Sequence, residues 1–224
     1  MPSPFVPRSF LAFVVLLALL AVAVQFGAIT VVFDKLGLSP LSAFALLGVS
    51  LVGSAVNLPV AYLRAETPVL PTPSAEPLWP RLLRHPARQF RGRTLLAVNV
   101  GGCVIPALFS IYLWRHSGLA SLELFVGVGT VAFLSYIASR PIPGIGIGMP
   151  ILLAPVAAAL VALALNPAQS APLAYISGTL GVLIGADLLH LPEIRRLGAP
   201  RAAIGGAGTF DGIFMTGILA VLLA

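Results

Sequence analysis

Apolar residues run along this chain in seven long stretches: about Phe10 to Phe33, Leu41 to Leu63, Thr94 to Trp114, Leu122 to Ala138, Pro150 to Leu165, Leu173 to Leu191 and Ala203 to Leu223. Each is apolar all round rather than along one stripe. Most approach the roughly 20 residues that a helix needs to cross a hydrocarbon core of about 30 Å. The pattern predicts an all-α, polytopic transmembrane helix bundle of about seven spans, one integral membrane domain over residues 1–224. The first run carries small residues, Ala21 and Ala23, where a signal peptide would be cut, but it continues unbroken to Phe33 and reads as an uncleaved first span.

Composition sharpens this reading. With 13 Lys+Arg and 7 Asp+Glu in 224 residues, 9% of the chain is charged, against about 25% for a soluble domain. A cytosolic enzyme, a disordered tail and a secreted disulfide scaffold are all excluded as poor fits. Cys103 is the single cysteine and forms no intramolecular bridge. The net charge of +6 records loop topology and contact with membrane lipids rather than nucleic acid. Counted by alternate sides of the seven spans, eleven Lys and Arg fall on one side, and Lys35 and Arg115 alone on the other. Basic loops stay in the cytoplasm, so the expectation is N-in and C-out, in the cell's cytoplasmic membrane. Residues 64–93, with Pro68, Pro71, Pro73, Pro77, Pro80 and Trp79, then form a Pro/Arg-rich cytoplasmic loop. Residues 140–150, RPIPGIGIGMP, are too rich in Pro and Gly for a helix and read as an interfacial or re-entrant loop, or as a short turn.

The chain also echoes itself. Ser39-Pro40-Leu41 is matched by Ala171-Pro172-Leu173, Leu47-Gly48-Val49 by Leu180-Gly181-Val182, Gly53-Ser54 by Gly185-Ala186, and Asn57-Leu58-Pro59 by His190-Leu191-Pro192. After a basic segment, Val100-Gly101-Gly102 answers Ile204-Gly205-Gly206. The order is kept, which predicts a parallel 3+1+3 repeat with the fourth helix as linker, a plan found in transporters.

Candidate chemistry is sparse. An ionisable side chain inside a span is costly and marks a functional site by default. Two carboxylates lie within apolar runs: Asp187 in GVLIGADLLHLP and Asp211 in IGGAGTFDGIF. At 1.5 Å per helical residue, Asp187 lies about 6 Å and Asp211 about 12 Å from the cytoplasmic ends of consecutive antiparallel helices, so contact is feasible. Gly178, Gly181 and Gly185 form one small-residue stripe, with Asp187 on the far side. Two carboxyls in hydrogen-bonding reach share a proton, the state amide hydrolysis requires, one acting as base on a water and the other as acid. The structural alternatives are a local pair of Asp187 with His190 or Arg195, and helix-start amides for Asp211. Glu123 is expected to snorkel to water. Asn57 and Asn99, at matching positions of the repeat, and Gly206, Gly208 and Thr209 beside Asp211 are candidate substrate-binding positions. His85, His116 and His190 are scattered, so no metal and no other cofactor is expected.

Asp187, Gly206-Ala207-Gly208 and Asp211 resemble the catalytic core of the presenilin and prepilin-peptidase group of intramembrane aspartyl proteases. The resemblance covers about 40 residues and departs from that pattern at Thr209 and Phe210, which separate Asp211 from the Gly-x-Gly, and in lacking a later Pro-Ala-Leu element. It implies a catalytic pair, Asp187 and Asp211, acting on a membrane-protein or peptide substrate. The whole chain, with NVGGCVIP and GGAGTFDGIF, more closely resembles an uncharacterised family of bacterial and archaeal polytopic membrane proteins. Two active roles are thus expected, an aspartyl protease or a small-solute or proton-coupled transporter, beside a membrane protein without turnover.

Overall fold

The computed structural model describes residues 27–64, 92–142, 146–196, 201–206 and 212–224. Among them are seven α-helices: α1 (Gly27–Lys35), α2 (Pro40–Ser54), α3 (Ile105–Ser117), α4 (Ser121–Ala138), α5 (Leu153–Leu165), α6 (Ser170–Val182) and α7 (Gly212–Leu223). Wide π-helical turns, Val100–Val104 and Leu183–Leu188, open α3 and extend α6. The fold is thus mostly helical, but it also contains strands that the hydropathy pattern did not predict: β1 (Asn57–Arg64), β2 (Arg93–Asn99), β3 (Arg140–Ile142), β4 (Gly146–Gly148) and β5 (Arg201–Ile204).

The all-helical expectation therefore needs correcting at four places. The second apolar run stops being helical at Ser54 and continues as β1, because Pro59 in a helix interior would remove a backbone bond and collide with the preceding turn. The third run is β2 up to Asn99, whose side chain caps the next turn by accepting from Gly102 N–H at 2.7 Å. The seventh run begins as β5. Within residues 140–150, Arg140–Ile142 and Gly146–Gly148 pair as β3 antiparallel to β4, with Arg140 opposite Gly148. The predicted 64–93 loop loses its ends, since Arg64 and Arg93 face each other across β1 and β2; its interior, 65–91, lies outside the described residues, as do residues 10–26 of the first run.

Among the described residues two helical segments are long and apolar enough to cross a membrane, Ser121–Ala138 and Pro167–Leu188, and a third is obtained if α1 and α2, bent by 107°, count as one. That bend is built by Gly37, at φ 71°, and by Ser39, whose hydroxyl accepts from Ser42 N–H ahead of Pro40. Helices α2, α3, α5 and α7 have 15, 13, 13 and 12 residues, about 18–22 Å each. At one end of the bundle α2 leads into β1, α3 opens from β2 through its π-turn, β4 precedes α5, and α4 and the extended α6 also finish there. The other end is made of short turns, tied by Asn166 Nδ2 donating to Glu123 Oε1 (3.1 Å) and Lys35 Nζ to the Val221 carbonyl (3.4 Å). Glu123, part-exposed at the start of α4, accepts from Asn166 and from the Ala120 N–H.

α6 is the axis of the molecule. Of its 13 residues, all but Leu180 are buried, and it packs against α3, α4, α5 and α7. The stripe expected along Gly178, Gly181 and Gly185 splits: Gly178 faces Ala158 of α5 and Thr216 and Ala220 of α7, whereas Gly181 and Gly185 face Val131, Ala132 and Ser135 of α4. Small residues allow such backbones to approach closely. A Cβ on Gly181 would sit 2.6 Å from Val131 Cβ. Gly181→Ala is therefore expected to destabilise the fold by about 1–2 kcal/mol, overpacking outweighing the gain in helix propensity. Thermal unfolding in detergent checks this. In a Val131→Gly background the same substitution should cost clearly less, and equal costs would exclude this contact as the cause.

Candidate functional site

Three strands form one sheet in the order β1-β2-β5. β1 pairs antiparallel with β2, while β2 and β5 are parallel, Val98 lying opposite Ile204. Just past that register Gly101-Gly102 and Gly205-Gly206 come together. A Cβ on Gly102 would collide with the Gly205 carbonyl oxygen, and Gly205 and Gly206 both have positive φ, 79° and 83°. Glycine at both sides of this crossing is a steric requirement. The two segments that echo each other in sequence are thus neighbours in space.

Asp187 lies at this junction. It stands on the π-turn that extends α6, and its Oδ2 accepts a hydrogen bond from Gly205 N–H at 3.2 Å. Half-buried, it also forms part of the wall of a cavity of about 260 Å³, with Val182 and Ala186 from its own helix, Ile147, Gly148 and Met149 from β4 and beyond, and Ile213, Met215 and Thr216 from α7. A wide turn adds a residue to the helix without adding a full turn, and such turns recur at functional sites. Here it is stabilised by His190, whose Nδ1 is 3.0 Å from the Gly185 carbonyl and whose ring packs on Tyr136 at 4.9 Å.

Asn57 and Asn99 do meet. Asn99 is fully buried; its Nδ2 donates to Asn57 Oδ1 at 3.1 Å and to the Ser54 carbonyl at 2.7 Å, and its Oδ1 accepts from Gly102 N–H. This links the end of α2, the sheet and the start of α3. Gly206 ends the described strand segment, whereas Gly208, Thr209 and Asp211 lie outside the described residues. Asp211 immediately precedes α7, whose first turn supplies Ile213 to the cavity wall. The β3–β4 hairpin and Thr216 were not foreseen as site components; the Pro-Gly run of 140–150 was the signal for the former, and a lone Thr in an apolar run gave none for the latter.

A family model described as "Protein of unknown function (DUF1614)" matches residues 51–223. The chain belongs to this family. No curated protein and no solved structure matches it. The DUF1614 region includes both strand–helix junctions, Asp187 and Asp211, and so contains the whole candidate site.

The two asparagines should differ in weight. Asn99→Ala removes three hydrogen bonds, two of them buried, and is expected to cost about 3 kcal/mol at roughly 1 kcal/mol each. Asn57→Ala leaves Asn99 its bonds to Ser54 and Gly102 and should cost about 1 kcal/mol or less. Thermal melts of the two variants side by side test that order.

Proposed function

We propose that this DUF1614 protein is a multi-pass protein of the cytoplasmic membrane, N-in and C-out, that hydrolyses peptide bonds in the cavity beside Asp187 as an aspartyl peptidase, with Asp211 as its second carboxylate. The observation that carries this reading is the cavity itself: an ionisable side chain in the wall of an otherwise largely apolar cavity is a functional site by default. Its second wall begins two residues after Asp211. The basic residues support the orientation, for Arg64, Arg93, Arg140, Arg195, Arg196 and Arg201 lie toward the strand end, and Lys35 and Arg115 toward the other.

In this reaction one ionised aspartate takes a proton from water as the water oxygen bonds to the peptide carbonyl carbon. The other, protonated, aspartate gives its proton to the carbonyl oxygen. Collapse of the tetrahedral species breaks the C–N bond, the amine leaves with a proton from the first aspartate, and the second recovers its own. The Gly205 N–H on Asp187 Oδ2 orients the carboxylate toward its role.

A second reading is transport of a small solute, coupled or not to protons. Supporting it is the parallel pairing of β2 with β5, each leading toward a helix, as a 3+1+3 repeat about an axis along the membrane normal requires. The cavity favours the peptidase, because its walls come from residues 147–219 alone and not from between the two halves.

Two measurements test the proposal. With Cys103 replaced by Ala, Asp187→Cys and Asp211→Cys together should be joined either by a disulfide under mild oxidation, which needs Cα atoms within about 7 Å, or by a short bifunctional thiol reagent, since two hydrogen-bonded carboxyls hold their Cα atoms no more than about 10 Å apart; failure of both rejects the pair. In proteoliposomes bearing single-span peptides, wild-type protein should release fragments, a hydroxyethylene isostere should block this, and Asp187→Asn or Asp211→Asn should each abolish it. Undiminished cleavage by either folded variant, or none by wild type across the peptide set, overturns the reading.

A further inference from the structure

The sheet has one covered face and one open one. On the covered side Leu63, Leu96, Val98, Ala202 and Ile204 pack with Cys103, Leu183, Leu191 and Ile194. On the other side the register sets Arg64 directly opposite Arg93, and one row further in Tyr62, Leu95 and Arg201 lie abreast. Side chains two apart on a strand share a face, as do directly paired residues on neighbouring strands. The three arginines therefore project from the same open face, and all three are exposed. Tyr62 beside them is 73% exposed.

Like charges placed directly opposite on paired strands destabilise a sheet. Among the described residues no ion pair joins Arg64, Arg93 or Arg201 to a carboxylate; Asp34 and Glu123 lie at the far end of the bundle, and of the two carboxylates near the sheet Asp187 accepts from Gly205 N–H and Glu193 opens the turn beside β1. The cluster gains stability when an anion bridges it, and guanidinium groups hold phosphate oxygens in paired hydrogen bonds. Toward the helices the same face closes: Leu95 and Ala203 are half-buried, and Ala97 and Asn99 are buried. The end of α2 and the π-turn before α3 meet the sheet there, at Asn99. An exposed guanidinium cluster with a half-buried leucine beside it and a tyrosine at the boundary matches one ligand chemistry.

We propose that the exposed, arginine-bearing part of this face of the β1-β2-β5 sheet binds an anionic phospholipid, its phosphate held by Arg64, Arg93 and Arg201 beside Tyr62 and the start of its acyl chain against Leu95. The site rests on the bilayer placement above and is independent of the peptidase chemistry, so loss of hydrolysis and loss of lipid binding are separable results.

The test uses the full chain in nanodiscs of phosphatidylcholine, with or without phosphatidylglycerol, following retained lipid by native mass spectrometry and unfolding by temperature. Wild type should retain phosphatidylglycerol over phosphatidylcholine and melt higher in its presence. Each Arg→Gln change should weaken the apparent affinity about fivefold, the factor for a contribution near 1 kcal/mol per basic residue. The triple variant R64Q/R93Q/R201Q should lose the preference, and in phosphatidylcholine alone it should melt at or above wild type because the like-charge crowding is gone. Arg115→Gln, at the opposite end, should change nothing. Should the triple variant fail to fold, Arg93→Gln and Arg93→Lys decide: Lys keeps the charge without the planar fork and should retain part of the binding. Equal lipid preference in wild type and variants, or no preference in wild type, overturns the proposal.

Discussion

The arrangement depends on one helix being enclosed from every side. α6 carries almost no side-chain volume where its neighbours cross it: Ser177, Gly181 and Gly185 toward α4, and Gly178 toward α5 and α7. Without water between helices, association in lipid rests on packing, and packing at backbone distance is available only to such residues. Bulk there would move α4, α5 and α7 outward together, and with them the cavity wall and the strand that holds Asp187. The position of the site is thus fixed by atoms that are missing from glycine.

The second constraint is the account of backbone hydrogen bonds at one end of the bundle. Four helices stop after 12–15 residues, short of a full crossing at about 18–22 Å. A chain that simply unwound there would leave donors and acceptors unpaired. Pairing β1 with β2 and β2 with β5, and closing β3 on β4, satisfies them between segments instead. Asp187 takes part in this pairing, accepting from Gly205 N–H immediately after β5 ends. Structural and chemical roles are therefore joined in one carboxylate.

How much of this could be read beforehand varies with the kind of signal. α4 was legible nearly to the residue, because an uninterrupted apolar run between Ala120 and Ser139 has one way to satisfy itself. The strands were hidden. Apolar helix and apolar strand have the same hydropathy, and Leu95, Leu96, Ala97 and Val98 merge without a break into the run that becomes α3. Asn57, Pro59 and Asn99 marked the breaks, each for its backbone chemistry, but they count for little against a long apolar window. The echo between Val100-Gly101-Gly102 and Ile204-Gly205-Gly206 carried real spatial information, since both follow strands that pair. Asp187 was legible through the cost of a charge in an apolar run. Its bond to Gly205 was not, because a backbone N–H is a donor that any residue but proline could supply.

The parallel pairing of β2 with β5 joins positions about a hundred residues apart along the chain. A ribosome delivers β1 and β2 long before β5 exists. Through that interval β2 is bare along one side, a template open to any extended segment that drifts near. The last of the sheet to be synthesised is thus also the piece that closes it. A nascent chain halted before Arg201 would emerge with its helices largely made and a sticky border still exposed, which makes the stretch between α6 and α7 the point at which assembly of this protein is committed.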